Sequence, residues 1–506
     1  MISTVRCLVR PDTYRDSVQL MRVAAEVERL PGVTRAALLM GTPSNRELMA
    51  GAGLLAGAAA RARPNDLVVA VLAVDGPCAE RALAHAEQLL AAQLPAGNLA
   101  GGAPPPRTIA EGCALLPGAN LVLISTPGTY ATAEALKALK RGLHVFLFSD
   151  NVPIGDEVEL KRLARRKGLL MMGPDCGTAI LDGVPLGFAN AVRRGRIGLV
   201  GASGTGLQQV SCLVDRLGEG VSQVIGVGGR DLDERVGGLM MLAGIERLGA
   251  DPGTAVIGLV SKPPASLSVA RRVIEAACGT GKPVVVAFPG GDPAAIRTAG
   301  AIPAATLEEA ARLSVALAGG NDTASATGAA DDPDLPAGSR TQGGRFASGQ
   351  RCIRGLFSGG TFCHEAALIL DGAGADAGHT MIDLGDDEFT AGRPHPMIDF
   401  WLRGERIIGA ADDPATAVIM LDVVLGYGAH VDPAGALLPA IAEARRRADA
   451  GGRSLAVVAF VCGTPADPQS LPRQEETLAA AGVLLASSNA AAARLALRLV
   501  ADARGR

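Results

Sequence analysis

The chain has 506 residues, of which 48% are hydrophobic but only 3% aromatic, and its formal net charge at pH 7 is −3. This length is enough for three or four domains with aliphatic cores. The weak charge gives no indication of nucleic acid or an anionic membrane as a partner, and no segment reaches the roughly 18 apolar residues of a membrane span. The N-terminus lacks a signal-peptide pattern and the nine cysteines include no CxxC pair, so we expect a cytoplasmic protein with reduced thiols.

Apolar periodicity divides the chain into four folded parts. The first alternates strand and helix in a βαβ(α)βα order, which predicts a small ferredoxin-like α+β domain. In each later part a short buried strand is followed by a loop and an amphipathic helix, as in α/β folds with doubly wound parallel sheets. The predicted parts are the small domain (1–96), a Rossmann-like domain (105–192), a doubly wound domain (193–318), a flexible linker (319–350) and a second doubly wound domain (351–506).

The most informative stretch is a glycine-rich turn after the strand predicted at 197–201. Its residues are Ser203, Gly204, Thr205 and Gly206, and an amphipathic helix follows. Such a turn places free backbone N–H groups and the positive end of a helix dipole at the carboxyl edge of a strand. It therefore predicts a phosphate or carboxylate site, although an ordinary glycine-rich βα turn has the same pattern. No Gly-Lys-Ser/Thr follows, so nucleoside triphosphate binding is not indicated.

A near copy of this turn follows the strand predicted at 353–357. Its residues are Ser358, Gly359, Gly360 and Thr361. His364 lies one turn into the helix, where it could act on an anionic substrate as a catalytic residue or simply occupy the surface. Two such turns in one chain predict two halves that face one charged ligand.

The densest polar run lies at 383–399. It contains the candidate substrate ligands Asp386, Asp387 and Glu388 and the candidate catalytic residues Arg393 and His395. Arg393 could clamp a carboxylate, and His395 is held between two prolines, as a positioned acid or base would need. The three acidic residues could also hold a divalent cation, and a solvated acidic loop is the alternative. His430 ends another strand-loop unit and is expected to contact substrate in the same crevice.

Several motifs resemble those of the succinyl-CoA synthetase α subunit in order and spacing, and a segment at 352–365 resembles the corresponding helix start of the β subunit. The α-like motifs are Met-Gly-Pro-Asp-Cys-Gly-Thr (172–178), Arg-Gly-Arg-Ile-Gly-Leu-Val (194–200), Ala-Ser-Gly-Thr (202–205) and Ile-Gly-Val-Gly-Gly (225–229). With further motifs at 384–389, 392–396 and 425–430, nearly the whole chain resembles the FdrA family. This resemblance implies that both doubly wound domains are flavodoxin-like and that residues 105–192 are similar to a CoA-binding domain.

The chain also departs from the synthetases. Their α subunits carry a phosphorylated histidine after the strand that matches 284–288, whereas residues 289–300 contain no histidine. The glycine-rich CoA turn of the first Rossmann strand is missing, and there is no room for an ATP-grasp module. CoA binding is therefore doubtful, and we expect that no cofactor is required. The sequence leaves open whether a metal is used.

FdrA-family proteins are encoded with allantoin-catabolism genes, so the resemblance implies a subunit of oxamate carbamoyltransferase. This enzyme would move a carbamoyl group between oxalurate and phosphate, giving carbamoyl phosphate and oxamate. An acyl-CoA synthetase of the succinyl-CoA ligase (NDP-forming) kind and a non-catalytic anion-binding scaffold subunit are the alternatives. The expected ligands are small anions such as phosphate or carbamoyl phosphate. The expected protein partners are operon-encoded subunits or further copies of the chain.

Overall fold

The computed structural model describes residues 4–15, 17–92, 106–321, 346–347, 349–372, 378–390 and 394–504. The chain forms two compact units, Met1–Pro106 with Gly385–Asp399, and Arg107–Leu384 with Phe400–Arg506. Most of the linker predicted at 319–350 lies outside the described residues. Within the described ranges, no helix has both the length and the apolar character that a membrane crossing requires.

The first unit contains a three-stranded antiparallel sheet in the order β1-β3-β2. Its elements are β1 (Thr4–Arg10), α1 (Ser17–Glu28), β2 (Val33–Met40), α2 (Pro43–Gly51), a 3-10 turn (Gly57–Arg61), β3 (Leu67–Ala73) and α3 (Gly76–Ala92), with a short helical turn at Asp387–Thr390. The central strand β3 is apolar throughout because both faces of the sheet are covered. Apolar side chains of α1 and α3 pack on one face, and those of α2 and the 3-10 turn pack on the other.

The second unit begins with a small parallel sheet in the order β4-β5-β6. Its elements are α4 (Ile109–Leu115), β4 (Leu121–Ile124), α5 (Gly128–Lys140), β5 (His144–Leu147), α6 (Ile154–Arg166) and β6 (Met171–Met172). A buried ion cluster joins α6 to the following sheet, because Lys161 Nζ lies 2.8 Å from both Glu157 and Asp231 and all three side chains are fully buried.

A seven-stranded sheet follows in the order β13-β12-β11-β9-β10-β7-β8. Its elements are β7 (Thr178–Leu181), β8 (Val184–Gly187), β9 (Arg194–Gly201), α7 (Gly204–Arg216), β10 (Val221–Gly226), α8 (Leu239–Ala250), β11 (Val256–Val260), α9 (Leu267–Cys278), β12 (Val284–Ala287), α10 (Pro293–Thr298), β13 (Ile302–Pro303) and α11 (Leu307–Ala318). The hairpin β7-β8 pairs antiparallel with β10. Residues 178–187, placed by the sequence analysis within the Rossmann-like part, therefore extend the next sheet.

A five-stranded parallel sheet has the order β15-β14-β16-β17-β18. Its elements are β14 (Cys352–Phe357), α12 (Gly360–Gly372), β15 (Thr380–Asp383), α13 (Trp401–Asp412), β16 (Thr416–Val424), α14 (Pro433–Ala450), β17 (Ala456–Cys462), α15 (Leu471–Ala480), β18 (Leu484–Ala486) and α16 (Asn489–Arg504).

Both larger sheets have the flavodoxin-like strand order 2-1-3-4-5 when β9 and β14 are counted as first strands. The predicted α/β class with doubly wound parallel sheets is confirmed. In such sheets ligands bind where the strand order reverses, at the carboxyl ends of the first and third strands. The two glycine-rich turns follow β9 and β14 and so occupy this position in each sheet.

Candidate functional site

The two glycine-rich turns meet at the carboxyl edges of the two flavodoxin-like sheets. Ser203 precedes α7 and Thr361 lies in the first turn of α12, and their buried hydroxyl oxygens are 2.5 Å apart. Beside them, a Cβ placed on Gly359 would lie 2.8 Å from the Thr205 methyl carbon. The N-terminal ends of α7 and α12 therefore adjoin, and we call this place the helix junction. It brings the positive ends of two helix dipoles together.

A buried hydroxyl at the helix junction has no hydrogen-bond partner among the described residues. It belongs to Thr178, which is only 1% exposed. The hydroxyl faces Gly204, the first residue of α7, where a Cβ would lie 3.4 Å from Thr178 Oγ1. An unsatisfied buried group of this kind costs roughly 1–3 kcal/mol, which a ligand could recover. We call this place, where the Thr178 hydroxyl lies beside the first residue of α7, the notch.

The second turn is fixed to the protein through Ser358. Its backbone N–H and its hydroxyl donate to the Asp422 carboxylate, at 2.9 and 2.7 Å. Arg403 forms an ion pair with the same carboxylate at 2.5 Å. The side chains of Arg403 and Asp422 are both buried. The hydroxyl of Ser358, predicted to bind an external anion, therefore already has a carboxylate partner and fixes the shape of the turn.

Two charged side chains lie against the first residue of α12. Asp383 ends β15 and Lys262 follows β11, and Lys262 Nζ is 3.6 Å from Asp383 Oδ2. A Cβ on Gly360 would overlap both charged atoms, so a larger residue here would require the ends of these two side chains to move. Lys262 follows β11, the third strand of its sheet, and so lies at that sheet's switch point. Asp383 ends β15, which pairs with β14 on the side away from the third strand β16.

His364 faces a glycine-rich loop from the next turn of α12. Its Nε2 atom is buried and forms no hydrogen bond in the described part of the chain. A Cβ on Gly290 would lie 3.6 Å from this nitrogen. Gly290 belongs to the stretch 289–300, which contains no histidine of its own. The His364 imidazole is carried by α12, which follows the first strand of the five-stranded sheet. It therefore lies beside a loop of the seven-stranded sheet.

Two buried cysteines near these elements are not activated. Burial raises the pKa of Cys176 to about 12. Burial also raises the pKa of Cys363 to about 12, with a further increase from Asp383 and Asp422 that Lys262 opposes. A thiol is nucleophilic as its thiolate, so neither residue is suited to covalent catalysis at neutral pH.

Glu365 is a buried acid on the side of α12 away from the turn. Its carboxylate accepts hydrogen bonds of 2.7 Å from the Leu307 N–H and from Asn489. Burial outweighs these bonds and raises the pKa of Glu365 to about 7.

A pH-dependent stability follows from Glu365. The folded protein retains this proton to higher pH than the unfolded chain, where the group titrates near 4.5. The stability of wild type relative to Glu365→Gln should therefore fall as pH rises from about 4.5 to about 7, by at most about 1.4 kcal/mol per pH unit, and stay constant above. Urea unfolding of both proteins across this range measures the difference. A difference that is constant, or that grows with pH, would contradict the prediction.

The carboxyl ends of β16 and β17 are covered by the protein's own chain. The carbonyl oxygen of Ala189 accepts a 2.8 Å hydrogen bond from the Tyr427 N–H, and the Asn190 side chain donates to Leu425 at 3.0 Å. Asp467 also accepts a hydrogen bond from Asn190, at 2.8 Å. These contacts occupy the loops that follow β16 and β17.

His430 lies in the loop that follows β16. Its Nδ1 atom accepts a hydrogen bond of 3.0 Å from the Asp432 N–H. Its ring packs edge-on against Phe400, with centroids 5.4 Å apart. These contacts hold the imidazole within its own loop, and its role in substrate binding stays a prediction.

Residues 385–399 of the polar run belong to the other compact unit. Asp386 and Glu388 are exposed there, and His395 Nδ1 accepts a 3.3 Å hydrogen bond from the Met397 N–H. Arg393 and the side chain of Asp387 lie outside the described residues. Among the residues that are described, no group of three or more His, Cys, Asp or Glu side chains could hold a metal ion. The predicted substrate-binding and catalytic roles of this run stay predictions.

Family models match three parts of the chain. They are described as "AllF, heavy metal-associated domain" (residues 3–104), "CoA binding domain" (residues 192–290) and "CoA-ligase" (residues 356–499). The CoA-binding match falls on the seven-stranded sheet, whereas the sequence analysis expected this likeness at 105–192.

Several relatives of this chain are subunits of CoA ligases. The α-2 subunit of ADP-forming succinate–CoA ligase from Trichomonas vaginalis is 31% identical over 28% of this chain and 47% of its own length. The corresponding α subunit from Methanothermobacter thermautotrophicus is 28% identical, over 28% of this chain and 48% of its own. This chain therefore spans about half the length of these ligase subunits.

Among solved structures, the chain matches ATP citrate lyase from Methanothrix soehngenii, in complex with citrate and coenzyme A. It has a TM-score of 0.36 and 16% identity, with 45% of this chain and 43% of that one covered. Dinucleotide-forming acetyl-coenzyme A synthetase 1 from Ca. Korarchaeum cryptofilum has a TM-score of 0.32 and 18% identity, with 76% and 84% covered.

The family models and the ligase relatives define a protein with an acyl-CoA synthetase-like (NDP-forming) fold. Protein YahF of Escherichia coli (strain K12) is 42% identical over 505 residues and is matched over 96% of both chains. The chain therefore belongs to the family of YahF, an FdrA-like protein with a succinyl-CoA synthetase α-like part.

Proposed function

We propose that this chain is an acyl-transfer enzyme subunit that moves an acyl or carbamoyl group to or from phosphate at the helix junction. The observation that carries the proposal is the notch, where the Thr178 hydroxyl faces the N-terminus of α7 without a partner in the described ranges. A helix N-terminus supplies N–H donors and a positive potential, and a hydroxyl adds a further donor. Together they match the oxygens of a phosphate group.

The neighbouring groups fit transfer of a carbonyl-bearing group. The N-terminus of α12 adjoins the notch through Ser203 and Thr361, so its N–H groups could stabilise the oxyanion that develops on the attacked carbonyl. The His364 imidazole could donate or accept the proton of the attacking or leaving group. CoA-ligase relatives support acyl groups as the substrate class.

A carbamoyl group is the second, finer candidate. It is favoured by the stretch 289–300, which has no histidine to carry a phosphoryl group between distant sites. Direct transfer between a carbamoyl donor and phosphate would need no such carrier. Oxamate carbamoyl transfer, with operon-encoded subunits as partners, is the concrete form of this candidate.

Phosphorus-31 NMR tests the proposal. Purified protein, alone and co-expressed with the products of its neighbouring genes, is mixed with acetyl phosphate or carbamoyl phosphate, each with CoA or oxamate as acceptor. Release of phosphate that depends on the acceptor identifies the transferred group. Failure of every combination to release phosphate would reject the proposal.

Thr178→Val should lower kcat/KM for the phosphate-containing substrate by roughly 10–100-fold, because it removes one donor to a charged group. The thermal unfolding midpoint should not fall, since the lost hydroxyl has no protein partner among the described residues. Thr477→Val serves as the control, because the Thr477 hydroxyl donates locally to the Arg473 carbonyl oxygen on an exposed helix face. Full activity of Thr178→Val would place phosphate elsewhere.

A further inference from the structure

We propose that the N-terminal domain, residues 3–104, holds no thiophilic metal ion and that the Asp66 carboxylate orders its loops instead. The family model that matches these residues describes a heavy metal-associated domain, so a bound ion is the expectation that the match raises. A site for a thiophilic ion such as Cu(I) needs soft ligands, above all thiolates, that touch the same ion. The inference does not involve the helix junction and is independent of the proposed function.

The two cysteines of the N-terminal domain, Cys7 and Cys78, lie too far apart to share an ion. Cys7 is in β1, and its partner on β3, Ala70, also pairs with Ala37 on β2. The sulfur of Cys78 lies beside Gly32, just before β2, where an added Cβ would be 2.9 Å from it. Ala37 is four residues beyond the first residue of β2, which is ~13 Å along the strand. Two sulfurs on one ion are within roughly 4.6 Å of each other, twice a metal–sulfur bond.

The sheet itself also separates the two thiols. Cys7 packs with the apolar side chains of α2 and the 3-10 turn on one face. Cys78 packs with those of α1 and α3 on the opposite face. His85 is the single histidine at 3–104 and lies on α3 seven residues after Cys78, which is ~10.5 Å along the helix axis. No two of these three side chains can therefore bind one ion in this fold.

Each thiol already has a partner in the protein. Cys7 Sγ donates a hydrogen bond of 3.2 Å to the Leu54 carbonyl oxygen, and burial raises the pKa of Cys7. A hydrogen bond with Asp75, together with burial, raises the pKa of Cys78, although the Arg81 guanidinium donates to its sulfur at 3.0 Å. Metals bind the thiolate, so both cysteines are in the unsuitable, protonated form at neutral pH.

A carboxylate holds the loops at the end of the sheet where β1 and β2 finish and β3 begins. The buried Asp66 carboxylate accepts hydrogen bonds from the Asp12 N–H at 3.1 Å and from the Arg63 N–H at 2.8 Å. The Asp66 carbonyl oxygen accepts another, of 2.7 Å, from the Gly41 N–H. One residue thus joins the segments after β1 and β2 to the start of β3, and the protein's own groups order these loops.

The metal content of the full-length protein, without an affinity tag, tests the first part of the proposal. Wild type and the double variant Cys7→Ser, Cys78→Ser are incubated with Cu(I) or Cd(II) under reducing conditions, desalted and measured by mass spectrometry of the metal. Both proteins should retain the same number of ions, because ions held by cysteines elsewhere in the chain are common to the two. Retention of a further ion by wild type would overturn the proposal. Cys78→Ser alone, at a partly buried position, should give the same result and keeps the comparison valid if Cys7→Ser impairs folding.

Thermal unfolding of the full-length protein tests the role of Asp66. Removal of metal with a chelator should leave the midpoint of the first transition unchanged, whereas Asp66→Ala should lower it by roughly 4 °C or more. Asp12→Asn is the matched control and should have little effect, because the Asp12 side chain is 69% exposed and forms only a surface ion pair with Arg63. A midpoint that falls on chelation, or that Asp66→Ala leaves unchanged, overturns the proposal.

Discussion

Replacement of Arg403 by methionine should destabilise the protein by about 3–5 kcal/mol, the usual effect of leaving a buried charge without its partner. The side chains of Arg403 and Asp422 are 1% and 0% exposed. Arg403 also donates to the carbonyl oxygens of Leu356 and Asp422, at 2.9 and 2.6 Å. Its loss would therefore leave two strand carbonyls and one carboxylate short of a donor. Thermal and urea unfolding midpoints measure the effect.

The double variant Arg403→Met with Asp422→Asn separates charge from packing. Asparagine removes the buried charge and can still accept from the Ser358 N–H, so the double variant should be more stable than Arg403→Met alone. Arg446→Met is the matched surface control, since the Arg446 side chain is 69% exposed and pairs with Glu443 on its own helix. A double variant no more stable than the single one would show that packing, not charge, dominates.

Much of the fold follows from the apolar patterns, because each central strand is a continuous apolar run bounded by glycine or polar residues. The strands that the pattern misses are short ones at or near a sheet edge. β13 has two residues and includes Pro303, and β15 offers only Met381 and Ile382 as apolar residues. The hairpin β7-β8 did carry a signal, since Asp182 and Gly183 form a two-residue turn with φ of 50° and 82°.

The site was predictable only in part. The glycine-rich turns can be recognised in the sequence, because an apolar strand, a run of small residues and an amphipathic helix follow one another directly. Their neighbours come from distant parts of the chain, and no local pattern shows them. Asp422, which holds Ser358, is 64 residues away in sequence. Lys262 directly follows a strand and could have been proposed as a site residue for that reason. Several other polar residues also follow strands, so this position alone does not single it out. Its approach to Gly360 depends on how the two sheets pack.

Gly204→Ala should weaken phosphate binding by roughly tenfold or more without lowering stability, because a methyl group would enter the notch. The new Cβ would lie 3.4 Å from Thr178 Oγ1 and 3.7 Å from the nearest backbone atom, in contacts that a folded protein tolerates. Alanine is also the better helix former, so the unfolding midpoint should stay the same or rise. Titration calorimetry with inorganic phosphate and thermal unfolding measure the two effects.

Gly155→Ala is the matched control, since Gly155 lies near the start of α6 with no atom within 4 Å of the new Cβ. It should leave phosphate affinity unchanged. Most variants that impair ligand binding also lower the stability of the fold, so a binding role is hard to distinguish from a structural one. Gly204→Ala separates the two roles, because phosphate affinity is expected to fall while stability is not. If the variant binds phosphate as wild type does, the N-terminus of α7 is a structural helix start and the ligand lies elsewhere.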